Sequence, residues 1–310
     1  MPARAPLLVH AGYHKTGSTW LQRSLFTDDS THFRLPFSRR ELNDRIVAPN
    51  QLVFDAERAR EFFAPGLEAV RAAGGIPVIS NERLVGNPHS GGWDSRILAE
   101  RLQAVFPESR VLLILREQRS VIRSIYFQYV REGGPLPLAG YLHPPGAGAY
   151  RIPLFDFEYY AYHRLVAFYQ GLFGRDRVLV LPYELLARAP ADFVARLCAF
   201  AGAAPPDRVS SAPRNVALSA FSVAVKRRLN RWFVRDRLNP GAPLAFASAN
   251  RVLVRAAAVL DRHLPPAIDR PFEDRIRARI ELEVGDRYAS SNRESAERIG
   301  IDLSQYGYPV

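Results

Sequence analysis

Lys15, Thr16, Gly17, Ser18 and Thr19 follow an apolar run, Leu7 to Val9, and lead into a segment of helical character that begins near Ser18. A buried strand that turns tightly into a helix is a phosphate-binding arrangement. The first turn of a helix has unpaired backbone N–H groups and about half a positive charge, so an anion there meets donors already aimed at it. Gly12 and Gly17 let the backbone turn and approach a ligand without a Cβ in the way. Ser18 and Thr19 add hydroxyls, and Lys15 adds a mobile charge. The common nucleoside-triphosphate loop, G-x-x-x-x-G-K-[ST], carries its lysine after the second glycine and places a hydroxyl on Mg²⁺. Here Gly17 is followed directly by Ser18, and the lysine sits two residues before it.

Other short apolar runs define the elements that must position this loop. Ile76 to Ile79, Val111 to Leu115 and Val178 to Leu181 read as strands, and helical patterns separate them: 55–73, 97–105, one with Val121, Ile122, Ile125, Tyr126 and Tyr129 on its apolar face, and one with Tyr159, Tyr160, Leu165 and Phe168. Strands that alternate with helices imply an α/β fold: a doubly wound parallel sheet with helices on both faces and a P-loop-like phosphate-binding loop. From about residue 205 the chain becomes helical, and residues 1–310 read as one domain with a helical C-terminal extension. Ligands of such sheets lie at the carboxyl ends of the strands. Arg116 directly follows the VLLIL run, and Ser124 lies on the polar side of the next helix, so both can face such a ligand. A planar guanidinium suits bidentate contact with phosphate.

The string HKTGSTWLQ resembles the 5′-phosphosulfate loop of the sulfotransferases that use 3′-phosphoadenosine 5′-phosphosulfate (PAPS). LREQRSVIRS resembles their 3′-phosphate motif, an Arg at a strand end and a Ser eight residues later, here Arg116 and Ser124. VLPYELL is similar to the segment in which a Tyr, here Tyr183, approaches the adenine. APRNVALS sits where these enzymes often supply a second 3′-phosphate contact, which would be Arg214, and Trp20 matches a position that stacks on adenine. The resemblance implies transfer of a sulfuryl group to a hydroxyl or amine, release of adenosine 3′,5′-bisphosphate, and Lys15 as the group that neutralises the leaving phosphate. Small-molecule sulfotransferases carry a Lys-x-His triplet after the second strand. Ser80-Asn81-Glu82 stands there instead and resembles the carbohydrate and tyrosyl branches, which makes Glu82 the candidate base and His14 the second. The acceptor implied is a glycan or glycolipid.

With 47% hydrophobic and 24% charged residues the chain reads as an ordinary globular protein, and its net charge of +11 favours anionic partners. Cys198 is the only cysteine, which excludes an intramolecular disulfide and a thiolate zinc cluster, and the seven histidines show no metal-binding spacing, so no metal is expected. No apolar run reaches the ~18 residues of a membrane span. The first strand starts too early to leave room for a signal peptide, and the protein is expected in the cytoplasm. Arg34, Arg39 and Arg40 read as solvated surface, and the Gly- and Pro-rich stretch 133–153 reads as a lid or surface loop in which Tyr141, His143 and Tyr150 could meet an acceptor. Phe221, Val225, Leu229, Trp232 and Phe233 mark a helix expected to pack on the core with a solvated rim that includes Lys226. An anionic membrane is the other surface it would suit. Two other classes remain open: a P-loop, kinase-like phosphotransferase dependent on ATP and Mg²⁺, and a non-enzymatic polyanion or nucleic-acid binder. No specific nucleic-acid partner is expected.

Overall fold

Four apolar runs and one short edge segment become five strands: β1 Leu8–His10, β2 Phe33–Arg34, β3 Ile76–Ser80, β4 Arg110–Leu115 and β5 Val178–Pro182. In the computed structural model, which describes residues 5–144, 154–210, 218–236 and 239–310, they form one sheet in the order β2-β3-β1-β4-β5. Every pairing is parallel, with Val9 opposite both Ile79 and Val111, and Leu113 opposite Val180. Successive side chains of a strand point to opposite faces, and both faces are buried. Val9, Ile79, Val111, Leu113 and Val180 enter one core, while Leu8, Val78, Leu112, Ile114 and Leu181 enter the other. This explains why these strands read as continuous apolar runs rather than alternating ones.

The helices that cover these faces are α1 Ser18–Ser24, α2 Arg39–Leu42, α3 Ala56–Ala72, α4 Ser95–Val105, α5 Gln118–Arg131, α6 Leu138–Leu142, α7 Tyr162–Phe173, α8 Tyr183–Arg188, α9 Pro190–Ala201, α10 Ala220–Phe233, α11 Ala249–His263, α12 Pro266–Val284 and α13 Ala289–Ile299. Helices α1, α8 and α9 fill the smaller core with Trp20, Leu21, Leu186, Phe193 and Leu197. Helices α3, α4, α5 and α7 fill the larger one, which also takes Ala220 and Val223 of α10 and Ile280 of α12. The chain thus runs from β1 to the edge strand β2, comes back to β3 beside β1, and then lays β4 against the other side of β1. The carboxyl end of β1 is the point where strand order reverses, the place where ligands of such sheets lie. Among the described residues no helix is long and apolar enough to cross a membrane.

Two elements depart from the sequence expectations. The stretch 27–51, read as irregular, holds β2, two residues long and paired at the sheet edge with Ile76 and Pro77, and then α2, started by a Ser38–Glu41 capping box. Both are too short to show a period. Helix α10 is turned relative to the expected orientation. Its buried stripe is Ala220, Ser222, Val223, Lys226 and Asn230, whereas Trp232 is 52% exposed. The reason is polar. Lys226, 1% exposed, donates from Nζ to the carbonyl oxygen of Val130 at 3.1 Å and to the Oδ1 atoms of Asn230 and Asn250, both at 2.7 Å. Asn230 in turn donates to the carbonyls of Val130 and Gly134. These bonds give the Val130 and Gly134 carbonyls, at and just beyond the end of α5, donors that an apolar face could not supply.

Candidate active site

The loop after β1 continues the sheet for two residues, with Ala11 N–H donating to Leu112 and Tyr13 N–H to Ile114. It then turns sharply. Thr16 is fully buried and its hydroxyl donates to the Tyr13 carbonyl, so it braces the turn. Lys15 at φ +66° is the only described non-glycine residue in the left-handed region, and Gly17 follows at φ +87°. Such a conformation costs a side-chain-bearing residue about 1–2 kcal/mol and is held only where its surroundings over-determine it. It turns successive N–H groups towards one concavity, a nest that suits an anion. Helix α1 starts at Ser18 with no side-chain cap and no acidic residue in its first turn, and the buried Ser18 hydroxyl has no partner. Buried polar groups are seldom left so.

Gly17 is required twice over. Its φ disfavours any side chain, and a Cβ would stand 2.8 Å from Leu186 Cδ2. Gly17→Ala is therefore expected to cost about 1–3 kcal/mol of stability, seen as a lowered thermal midpoint. Anion affinity should weaken with it, because the N–H groups are re-aimed.

Arg116, at the end of β4, reaches across to this loop. Its Nη1 donates to the Lys15 carbonyl at 2.8 Å, and its Nε and Nη2 donate to Ser120 Oγ at 3.0 and 2.7 Å. The guanidinium lies 4.8 Å from the centre of the Tyr183 ring. The arginine's own backbone is fixed, since Tyr162 donates to its carbonyl at 2.5 Å and Glu117 caps α5. Glu184 accepts the Glu117 N–H and the Tyr308 hydroxyl, and Gln118 bonds Asn292, so the C-terminal residues brace the start of α5. Arg116 thus bonds Ser120, four residues on and one turn nearer than Ser124. Ser124 is half-buried on the next turn and makes no bond to Arg116. The signal for Ser120 was its i+4 spacing from Arg116 on the polar side of α5.

On the other side of Lys15 lies a second group of polar side chains. Burial above all, then the charges of Arg131 and Arg116, hold the Lys15 ammonium below its ordinary value, against the opposing pull of Glu132 and Glu82. Glu82 opens the turn after β3, forms an ion pair with Arg39 through Oε1, and keeps Oε2 buried without a partner. His14 is 8% exposed. Burial first, then the charges of Arg83, His89, Lys15 and Arg39, push it down to about 3, so its imidazole is neutral, and its Nε2 has no partner. His89 is lowered to about 4 by burial and by Lys15. Its Nδ1 lies 3.0 Å from the Tyr141 hydroxyl and its Nε2 3.5 Å from Glu132. Arg83 is paired with Asp94 at 2.7 Å through Nη2, and its Nη1 is buried without a partner. Arg83, His89 and Glu132 escaped sequence reading, because no motif or period links residues that three separate loops bring together. Arg39, read as solvated surface, belongs here too.

Thr19 is exposed at the loop's rim. Trp20 is 4% exposed and packs in the smaller core with its Nε1 unpaired, so neither ring face is open to a purine in this conformation. Tyr183 stands at the start of α8, half-buried, beside Gly17 and Arg116. Arg214 and Tyr150 lie outside the described residues. Tyr141 is fully buried, and His143 pairs with Glu283 at 2.8 Å.

Residues 98–207 match the model of the Sulfotransferase family, a span that includes Arg116, Ser124 and Tyr183 but not the Lys15 loop. Among solved structures, the fold is similar to that of a sulfotransferase from Alicyclobacillus acidocaldarius, at 18% identity and a TM-score of 0.57, covering 97% of this chain and 98% of that one. The sulfotransferase domain of the Synechococcus PCC 7002 olefin synthase matches at 16% identity over 82% of this chain and 94% of that one, with a TM-score of 0.39. The sulfotransferase domain from the curacin biosynthetic pathway matches at 14% identity over 90% and 99%, with a TM-score of 0.40. No curated protein matches the sequence. Residues 98–207 are thus similar to the sulfotransferase family, and the fold that carries them is similar to that of a solved sulfotransferase.

Proposed function

We propose that this protein transfers a sulfuryl group from PAPS to a hydroxyl of a carbohydrate or glycolipid, as a cytoplasmic enzyme. One observation carries the reading: the guanidinium of Arg116 is bonded to the carbonyl of Lys15, so two groups suited to phosphate meet at the point where strand order reverses. A donor with phosphates at both its 5′ and 3′ positions needs two such groups in one site. The uncapped start of α1, the unpaired Ser18 hydroxyl and the left-handed Lys15–Gly17 turn fit the 5′ end. Arg116, Ser120 and Ser124 fit the 3′ end, Tyr183 the base between them, and Arg214 a second 3′ contact.

The reaction is an in-line displacement dominated by positioning and charge stabilisation. A bond forms between the acceptor oxygen and sulfur as the bond from sulfur to the bridging phosphate oxygen breaks. Charge grows on that phosphate oxygen, where Lys15 and the N–H groups of residues 16 to 19 neutralise it. The acceptor hydroxyl gives its proton to Glu82 Oε2, the oxygen that Arg39 leaves free, with His14 Nε2 as the second choice. Unpaired donors and acceptors stand together there, on His14, Glu82, Arg83 and His89. Such a mixture suits a polyhydroxyl acceptor, each of whose groups both donates and accepts.

Calorimetric titration tests the donor. Adenosine 3′,5′-bisphosphate is expected to bind micromolar and more tightly than ADP, or than ATP with Mg²⁺. Arg116→Ala is expected to weaken it by about 1.5–3 kcal/mol, or roughly 10- to 150-fold. Tighter binding of ATP with Mg²⁺ would replace this reading with a kinase-like phosphotransferase. Steeply salt-dependent polyanion binding that ignores Lys15 and Arg116 would replace it with a polyanion binder.

A further inference from the structure

The outer side of α10 and α11 shows apolar side chains that the fold leaves uncovered. Trp232, Leu244 and Phe246 are 52%, 60% and 51% exposed. They adjoin: Leu244 N–H donates to the Trp232 carbonyl at 2.9 Å, and Phe246 stands edge-on to Phe233 with ring centres 6.5 Å apart. On α11, Val252 and Val259 are 50% and 55% exposed and, seven residues apart, share one face. Exposed arginines interleave with them, Arg228 and Arg231 on α10, Arg251, Arg255 and Arg262 on α11. Between Lys226 and Arg270 the sequence has ten basic residues and three acidic ones, so this segment supplies most of the net charge of +11. Two of those acids are engaged inside the fold, Asp261 by the Ser219 and Ser222 hydroxyls and Asp269 by the Phe221 N–H.

We infer that this face docks on an anionic membrane, with Trp232, Leu244 and Phe246 entering the boundary between headgroups and acyl chains and the arginines meeting lipid phosphates. Exposed aromatic and aliphatic side chains ringed by basic ones are what such a surface selects. Charge decides the occupant. A second copy of the chain would set these arginines against themselves, and a nucleic acid would use the arginines but leave the aliphatic side chains in water. The buried Lys226 anchor holds α10 with its aromatic end outward, so the exposure is built into the packing. The inference rests on this surface and is independent of the transfer reaction, though it would bring the site to a lipid-borne acceptor.

Sedimentation of the full chain with vesicles tests it, using phosphatidylcholine alone or in equal parts with phosphatidylglycerol. Binding is expected to the anionic vesicles only, and to weaken with salt. Arg251→Gln/Arg255→Gln/Arg262→Gln should lower partitioning about a hundredfold. Trp232→Ser/Leu244→Ser/Phe246→Ser should lower it about tenfold or more, and circular dichroism would check that both variants fold. A blue shift of tryptophan emission on vesicle addition, absent in Trp232→Phe, would support insertion at that residue. Absence of binding to anionic vesicles, or binding undiminished in both triple variants, would overturn the inference. So would self-association of the native chain that the serine variant abolishes, since a second copy would then cover this face.

Discussion

Lys15→Ala is expected to lower the rate of sulfuryl transfer by about 10²–10³-fold while bisphosphate affinity changes less than tenfold. The asymmetry follows from where the charge is needed. The ground-state anion already meets the N–H groups of the loop and the start of α1, contacts that the alanine variant keeps because they belong to the backbone. Only as the sulfur–oxygen bond lengthens does a new charge build on the bridging oxygen, and a half-buried ammonium acts more strongly there than it would in water. Burial and the neighbouring arginines make this ammonium costly to hold, which an approaching anion relieves. Lys15→Arg tests position apart from charge: a broad planar head on a left-handed residue will not fill the same point, so it should recover little of the loss. Single-turnover rates and calorimetry read the two effects separately. Equal losses in rate and bisphosphate binding would make Lys15 a ground-state contact and remove it from the transition state.

How much of this site the sequence discloses depends on how local each part is. The Lys15 loop and the Arg116 strand end are contiguous strings at the ends of apolar runs, and both are where the sequence places them. The α/β alternation follows from the same runs, since β1, β3, β4 and β5 are buried on both faces and need no alternation of side chains to be seen. The acceptor side is different in kind. Glu82, Arg83 and His89 sit on short turns after β3, His14 in the loop after β1 and Glu132 beyond α5, so their meeting is set by the sheet order and by no spacing in the chain. Helix α10 shows the same limit in reverse. Its apolar period is real, yet three carbonyl oxygens that accept from Lys226 outweigh it and bury the polar stripe instead. A buried ammonium with three acceptors leaves no trace in a hydrophobic period.

Glu82→Gln is expected to lower turnover by 10²-fold or more with little effect on donor binding, and His14→Ala by less than tenfold. The glutamine keeps an oxygen for Arg39 and nearly the same volume, so it removes the base while leaving the turn after β3 in place. Glu82 has the better geometry. Arg39 fixes one oxygen and so aims the buried and unpaired Oε2 at a defined point. His14 is neutral and has a free nitrogen, but with its pKa pushed down to about 3 it holds a proton poorly, and an acceptor hydroxyl loses its own only to a partner that can keep it. Substitution is the decisive measurement. Near-normal turnover of Glu82→Gln would take the carboxylate out of the mechanism. A hundredfold loss in His14→Ala beside it would give the proton to the imidazole, and normal rates in both variants would leave proton removal to the solvent, with His14 and Glu82 serving only to position the acceptor.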